Sequence, residues 1–268
     1  MAKKRLQTLR VRAIIKVTES KSRDSRREKR RRTDRTSKKG ENGMKTEEFI
    51  FSGNKAIVIL PENPNGKYIW KTEFFYAFDG AERALSERGY TRVTYQISNR
   101  YGSDEAVRLM HAFQRFLTVK YGLSEKAILF GFSRGALYAF NYALFYPEYV
   151  DRIYLDAPVL NLRSWPPRGS AEFQGLLAEY RLTEDAFDAF GCSPIDRLRE
   201  FSQNNIPLLI VAGDSDHTVP HGENCGILAD YYRENGLPFE YILKKGCDHH
   251  PHSLEDVTPI INFVEGRE

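Results

Sequence analysis

Short apolar runs and longer stretches with helical spacing of apolar residues alternate along the chain from about residue 50. The apolar runs lack polar alternation, which is typical of buried strands in a parallel sheet; they are Ala56–Leu60, Ala127–Phe130, Arg152–Ala157, Pro207–Gly213 and Phe239–Lys244. Thr91–Ile97 alternates and predicts a strand with one more polar face. Helical spacing predicts four helices: Thr72–Arg88, Ser103–Tyr121, Gly135–Tyr146 and Leu254–Glu265.

One strand-to-helix junction carries a pattern with chemical meaning. Gly131-Phe-Ser-Arg-Gly135 lies between the buried strand that begins at Ala127 and the helix that begins at Gly135. A strand that turns directly into a helix strains its central residue and exposes that side chain at the carboxyl edge of the sheet. A Cβ at either glycine would collide with the adjoining strand and helix. The pattern predicts that Ser133 is a nucleophile; the alternative is a helix N-cap serine.

A nucleophilic serine needs a base that takes its proton, and the base needs an orienting acid. The strand Pro207–Gly213 is followed by Asp214-Ser-Asp-His-Thr-Val-Pro220, and the strand Phe239–Lys244 by Gly246-Cys-Asp-His-His-Pro-His252. This order of serine, acid and histidine is that of α/β-hydrolases. From about Glu47 onward the chain therefore resembles the α/β-hydrolase superfamily. Its Gly-Asp-x-Asp-x-x-Val-Pro and His-His-Pro-His-Ser-Leu segments resemble small bacterial hydrolases of the esterase and prolyl-oligopeptidase-like type.

The resemblance implies an α/β-hydrolase fold, with a mostly parallel central sheet flanked by helices, and a Ser-His-Asp mechanism. In the resembling proteins the acid stands four residues before the proline of a Val-Pro pair, which selects Asp216 rather than Asp214. Counting from Gly246, their Gly-x-Gly-His pattern selects His249 as the base, although an aspartate replaces the second glycine. The adjacent His250 remains an alternative base.

The resemblance also implies two N–H groups that bind the oxyanion formed during acyl transfer. One is the N–H of Arg134. For the other we choose Glu62, in the loop that follows the strand Ala56–Leu60. Trp70 is interpreted either as a wall of the acyl pocket or as an anchor of that loop. Further candidates for substrate contact are Phe132, Trp165 and His250.

The superfamily allows an insertion after the strand Arg152–Ala157, and residues 161–205 contain a Trp-Pro-Pro run and short helical stretches. We predict that this segment forms a small helical cap on a catalytic domain of residues 46–268. His252, beyond the adjacent histidines, is interpreted as structural.

Charge separates the N-terminal residues from this domain. Residues 1–43 contain 17 Lys/Arg and 5 Asp/Glu, whereas the rest of the chain contains 23 and 31, so the net charge of +4 comes from the N-terminal residues. We predict that residues 1–45 form a disordered basic arm. Three alternatives remain open: contact with nucleic acid, for which interleaved aromatic residues are missing, a targeting peptide, or translation that starts at Met44.

The remaining residues indicate no further chemistry. His217 and His221 lack a metal-ligand spacing relative to the nearby aspartates, so we predict no metal and no cofactor. Three cysteines without a secretory signal predict reduced thiols in the cytoplasm. No apolar run approaches about 18 residues, so we expect no membrane span.

The predicted function is hydrolysis of carboxylic esters, including acyl or acetyl esters of carbohydrates, with a small-molecule ester as the partner. Two alternatives stay open. One is a serine peptidase of the prolyl-oligopeptidase type. The other is a non-catalytic binding protein that uses the hydrolase fold and a nucleic-acid-binding arm.

Overall fold

The computed structural model describes residues 36–39 and 43–267 of the chain. Within these ranges nine strands form one sheet in the order β1-β2-β3-β5-β4-β6-β7-β8-β9. The pairs β1–β2, β2–β3 and β3–β5 are antiparallel, and every other neighbouring pair is parallel. The mostly parallel sheet predicted from the sequence is thus confirmed. The strands are β1 (Thr36–Lys39), β2 (Lys45–Phe51), β3 (Asn54–Leu60), β4 (Tyr68–Lys71), β5 (Thr91–Tyr95), β6 (Ala127–Phe132), β7 (Val150–Asp156), β8 (Leu208–Gly213) and β9 (Glu240–Lys244).

Helices cover both faces of the sheet. Side chains of β6 alternate between two apolar clusters, with Leu129 on the face covered by α2 and α3, and Phe130 on the face covered by α1 and α8. This burial on both faces explains why the strands read as continuous apolar runs. The helices in the described residues are α1 (Gly80–Glu87), α2 (Asp104–Tyr121), α3 (Gly135–Phe145), α4 (Ala171–Tyr180), α5 (Glu184–Phe187), α6 (Leu198–Ser202), α7 (Cys225–Glu234) and α8 (Thr258–Glu265).

The segment between β3 and α1 differs from its prediction. Residues 68–71 form the strand β4, where the sequence predicts a loop, and the helix predicted from Thr72 begins only at Gly80. Phe74 and Phe78 have φ values of +55° and +50°. A right-handed helix excludes this backbone conformation, so residues 72–79 form a loop.

The edge of the sheet beside β2 also differs from its prediction. Four residues of the predicted disordered arm form β1, which pairs with β2 from Thr36–Glu48 to Lys39–Lys45. This pairing supplies partners for the free backbone groups along the edge of β2. Residues 1–35 and 40–42 lie outside the described residues, so for them the arm stays a prediction.

Three short helices, α4, α5 and α6, occupy the segment between β7 and β8, where the sequence predicts a helical insertion at residues 161–205. The N-terminus of α4 is capped by Ser170, whose Oγ accepts a hydrogen bond from the N–H of Phe173 at 3.0 Å. Among the helices of the described residues, none is long and apolar enough to cross a membrane.

Candidate active site

Ser133 lies between the end of β6 and the start of α3. Its φ of +49° is in the left-handed region, which a non-glycine residue adopts only when its surroundings impose it. A Cβ at Gly131 would lie 2.9 Å from the Cα of Ala136, and a Cβ at Gly135 would lie 2.9 Å from Oγ1 of Thr72. Both positions therefore require glycine, in agreement with the steric reading of the sequence pattern.

Two loops at the carboxyl edge of the sheet bring a histidine and an acid to this serine. The hydroxyl oxygen of Ser133 lies 3.0 Å from Nε2 of His249, and Nδ1 of His249 lies 2.7 Å from Oδ2 of Asp216. All three residues are buried. When Nδ1–H donates to the carboxylate, Nε2 is left as the acceptor for the serine proton. The structure thus brings together the three residues that the sequence selects.

The turn after β8 holds the acid in place. Oδ1 of Asp216 accepts hydrogen bonds from the N–H groups of Thr218 and Val219, at 2.9 and 2.7 Å, which leaves Oδ2 for the histidine. Asp214 is exposed, and its Oδ1 accepts the N–H of Gly246 at 2.7 Å. Asp214 therefore connects this turn to the loop after β9.

Asp248 occupies the position at which the resembling proteins carry a glycine. Its Oδ1 accepts the N–H groups of His217 and His249, at 2.9 and 2.7 Å. These two hydrogen bonds lower the pKa of the exposed Asp248 carboxyl group. The aspartate thus joins the loop of the acid to the loop of the base, and the departure from glycine has a structural reason.

His250 is exposed and stacks on Phe78, with ring centroids 5.7 Å apart and an angle of 16° between the planes. Partial burial and the neighbouring rings of His252 and His249 lower the pKa of His250. The hydrogen bonds to both the serine and the acid belong to His249, so the geometry favours His249 over His250 as the base.

A second histidine–aspartate pair, which sequence reasoning missed, lies beside the first. Nδ1 of His252 is 2.7 Å from Oδ1 of Asp156, the last residue of β7, and this carboxylate is fully buried. Its Oδ2 accepts the hydroxyl of Tyr154 at 2.5 Å and the N–H of Ser253 at 2.8 Å. The position of Asp156 at a strand end was the available signal, because polar residues at strand ends meet at one edge of a parallel sheet.

A cavity of about 560 Å³ opens over Ser133. Its lining includes Phe74 and Phe78, from the loop after β4, and Trp165 and Glu172, from the helical insertion. Three of the residues predicted to contact the oxyanion or the substrate lie in this lining: Arg134, Trp165 and His250.

The other three predicted residues lie elsewhere. Glu62 follows β3, and because β3 is antiparallel to β5, this residue is at the opposite edge of the sheet from Ser133. Trp70 is an interior residue of β4 that packs on Phe113, with ring centroids 5.5 Å apart. Phe132 is fully buried on the other face of the sheet. The prediction of Glu62 fails because it assigned the oxyanion loop to β3, whereas β4 is the strand next to β6.

The loop that does reach the cavity, residues 72–79, is held by a buried ion pair. Nζ of Lys71 lies 2.7 Å from Oε1 of Glu82 and 2.5 Å from the carbonyl oxygen of Ala77. Burial lowers the pKa of Lys71 and raises that of Glu82, and their mutual attraction opposes both shifts. Thr72 adds a hydrogen bond from its hydroxyl to the carbonyl of Gly135, at 2.8 Å, which fixes the loop against the serine turn.

Three histidines near Ser133 could hold a metal ion. One ring nitrogen from each of His249, His250 and His252 lies within 4.8 Å of one ring nitrogen of each of the others. The prediction of no metal site was based on His217 and His221 and did not consider this group.

Comparisons with known proteins agree with this architecture. The sequence profile of the α/β-hydrolase fold matches residues 77–190. A search of curated protein sequences gives no match.

Three solved structures illustrate the similarity. A dipeptidyl peptidase 4 from Porphyromonas gingivalis shares 14% identity with a TM-score of 0.62, and the match covers 88% of this chain and 35% of that one. A puromycin-hydrolyzing peptidase from Mycobacterium tuberculosis shares 16% identity with a TM-score of 0.60, covering 87% and 39%. The chain therefore spans well under half the length of these peptidases. An S-formylglutathione hydrolase from Agrobacterium tumefaciens shares 14% identity with a TM-score of 0.54, covering 87% and 91%. The profile match and the mostly parallel sheet together show that the chain has the α/β-hydrolase fold.

Proposed function

We propose that the protein is a serine hydrolase that cleaves carboxylic esters. The observation that carries the proposal is the continuous hydrogen-bonded series from Ser133 through His249 to Asp216, with contacts of 3.0 and 2.7 Å. These distances are those that general-base activation of a nucleophile requires. Ser133 and His249 also line a cavity of about 560 Å³, which is large enough for a small substrate.

In the proposed reaction, the hydroxyl oxygen of Ser133 attacks the ester carbonyl while Nε2 of His249 accepts its proton. Asp216 holds the imidazole in the required tautomer and stabilises the imidazolium that forms. His249 then gives the proton to the leaving alcohol, and an acyl-enzyme remains. Water, deprotonated by the same histidine, releases the acid and restores the serine.

For the oxyanion we propose the backbone N–H groups of Arg134 and Phe74. Both residues line the cavity, and within the described residues neither N–H donates to another group of the protein. The φ of +55° at Phe74 marks a backbone held in an unfavourable conformation beside the nucleophile. A single donor of this kind typically contributes about 3 kcal/mol to transition-state stabilisation.

The proposed donors can be tested in a crystal structure of the enzyme with a phosphonate bound to Ser133. We expect the phosphoryl oxygen within about 3 Å of both nitrogen atoms. A phosphoryl oxygen that contacts neither of them would overturn the assignment.

The apolar residues that line the cavity favour an uncharged acyl group over a charged one. Phe74 and Phe78, which are 41% and 40% exposed, line the cavity together with Trp165 from the helical insertion. We infer a small ester as the substrate from these apolar residues; the structural neighbours include both the S-formylglutathione hydrolase and peptidases.

Turnover of p-nitrophenyl esters of increasing acyl length, set against aminoacyl p-nitroanilides, tests this choice. We expect hydrolysis of short and medium esters and at least about a hundredfold lower kcat/KM for the anilides, with both activities lost in Ser133→Ala. A preference for the anilides would instead support the peptidase alternative. Ester hydrolysis that Ser133→Ala retains would exclude the proposed nucleophile.

A further inference from the structure

The histidines at residues 249, 250 and 252 form a cluster at one side of the cavity. Their ring centroids are 4.8–5.0 Å apart in all three pairs. Three imidazoles that meet edge to face at such distances leave several ring nitrogens in a small volume. Proposed catalysis uses only one of these rings, so the cluster as a whole has no role in the reaction described above.

The hydrogen bonds of the cluster determine which nitrogens remain for a ligand. Nδ1 of His249 is bound to Asp216, and Nδ1 of His252 is bound to Asp156, each at 2.7 Å. In both rings Nε2 is therefore the nitrogen whose lone pair is available. A histidine that ligates a metal almost always has its other nitrogen bound to a carboxylate or carbonyl, which orients the ring and raises its basicity. Two of the three rings already have this arrangement.

Binding of a metal ion requires the ring nitrogens to move closer together, and His250 is the ring that is free to move. Ligand atoms of a tetrahedral zinc site lie about 3.3 Å apart, given Zn–N distances of about 2.0–2.1 Å. The nitrogens in the cluster are separated by up to 4.8 Å, so the rings must approach each other. His250 is exposed and contacts Phe78 by stacking, which allows its side chain to rotate without opening the core.

The ligand atoms in this cluster are nitrogens, and this limits which metal ions it can bind. Imidazole nitrogens suit Zn²⁺ and other transition-metal ions, whereas Mg²⁺ and Ca²⁺ prefer oxygen ligands. The two nearby carboxylates are engaged by the Nδ1 atoms of the rings, so they serve as supports and not as ligands.

We propose that His249, His250 and His252 bind Zn²⁺, and that the bound ion inhibits the hydrolase. The ion takes the Nε2 lone pair of His249, which otherwise accepts the proton of Ser133 at 3.0 Å. The base can then no longer activate the nucleophile. The fourth coordination position remains for water or for the hydroxyl of Ser133. Inhibition rests on the proposed function, whereas binding of the ion does not.

Binding is measured first, with Co²⁺ as a spectroscopic substitute for Zn²⁺ and with the full chain carrying Ser133→Ala. We expect one Co²⁺ per chain, with the intense visible absorption of four-coordinate cobalt, and displacement by Zn²⁺. The double variant Ser133→Ala/His250→Ala should lose this spectrum. A weak, six-coordinate spectrum, or an unchanged spectrum in the double variant, would overturn the site even if the protein had no esterase activity.

Inhibition is measured second, as the Zn²⁺ concentration that halves the activity of each variant relative to its own metal-free rate. His250→Ala should raise this concentration at least about tenfold, the lower end of the loss seen when a metal site is weakened. The matched control is His217→Ala, which removes an exposed histidine outside the cluster and should leave the zinc sensitivity unchanged. Equal sensitivity in wild type and His250→Ala, or a shift in His217→Ala alone, would mean adventitious binding and would overturn the proposal.

Discussion

Two histidine–aspartate pairs lie side by side at the carboxyl edge of the sheet, and within the described part of the chain only the first contacts the hydroxyl of Ser133. His249 and Asp216 share a contact of 2.7 Å, and so do His252 and Asp156. Nε2 of His249 is 3.0 Å from the hydroxyl oxygen of Ser133. The second pair is anchored in the core instead, because its carboxylate also binds the hydroxyl of Tyr154.

We infer from this difference that a histidine–aspartate pair is not by itself a catalytic unit. The two pairs have the same composition and the same contact distance, so their chemistry is set by what lies beyond the imidazole. The backbone carbonyl of Asp156 accepts the N–H of Ser133 at 2.9 Å, so the residue that carries the second carboxylate also helps to hold the serine turn in place. We therefore expect substitutions in the first pair to affect turnover and substitutions in the second pair to affect mainly stability.

The largest expected effect is that of His249→Ala. Loss of the general base should lower kcat about 10⁴- to 10⁶-fold, with little change in melting temperature. The matched variant, His250→Ala, removes the neighbouring imidazole and should change kcat by less than about tenfold. Steady-state kinetics of both variants on one ester would decide between the rings. Reversed effects would assign the base to His250.

Asp216→Asn should come next, with a loss of about 10³- to 10⁴-fold in kcat. The asparagine keeps the shape of the acid but favours the wrong imidazole tautomer. Its oxygen can still accept the N–H groups of Thr218 and Val219, so the turn should persist. A variant that folds normally and retains more than a tenth of wild-type kcat would show that this pair is not the catalytic one.

Asp156→Asn is the corresponding change in the second pair. It should lower the free energy of unfolding by about 1–3 kcal/mol, since a buried polar group loses part of its hydrogen bonding. We expect kcat of the folded fraction to fall by less than about tenfold. Urea unfolding together with active-site titration separates the two quantities. A loss of turnover as large as that of Asp216→Asn, at unchanged stability, would abolish the distinction between the pairs.

The smallest expected effect concerns Asp248, which supports only the first pair. Asp248→Ala removes the acceptor of the N–H groups of His217 and His249 and should lower kcat by a few fold. Asp248→Asn keeps an oxygen at this position and should restore most of the rate. If both variants are equally impaired, then the charge of Asp248, and not its two hydrogen bonds, is what matters.

Much of the fold follows from local sequence pattern, whereas the choice of Asp216 and His249 follows from the resemblance to α/β-hydrolases. Continuous apolar runs mark the central strands that are buried on both faces, and Ser133, Asp216 and His249 each lie within five residues after the end of a strand. Since the carboxyl ends of parallel strands meet at one edge, their order in the chain already indicates a common site.

Local sequence pattern does not predict the loop of residues 72–79. Phe74, Phe75 and Phe78 have helical spacing, yet two of them adopt positive φ values that only the tertiary structure imposes. Lys71, at the end of β4, reads as a surface residue, and its burial depends on Glu82 in the following helix. Local pattern contains no such tertiary information, so the sequence predicts a loop in place of β4 and selects Glu62, which lies at the opposite edge of the sheet from Ser133.

Covalent labelling tests the central claim most directly. The full chain is treated with a serine-reactive fluorophosphonate, and the adduct is located by peptide mapping while the remaining activity is followed. We predict one adduct per chain, on Ser133, with loss of ester hydrolysis in proportion to labelling and labelling much slower in His249→Ala. An adduct on another serine, or full activity after stoichiometric labelling, would contradict the account.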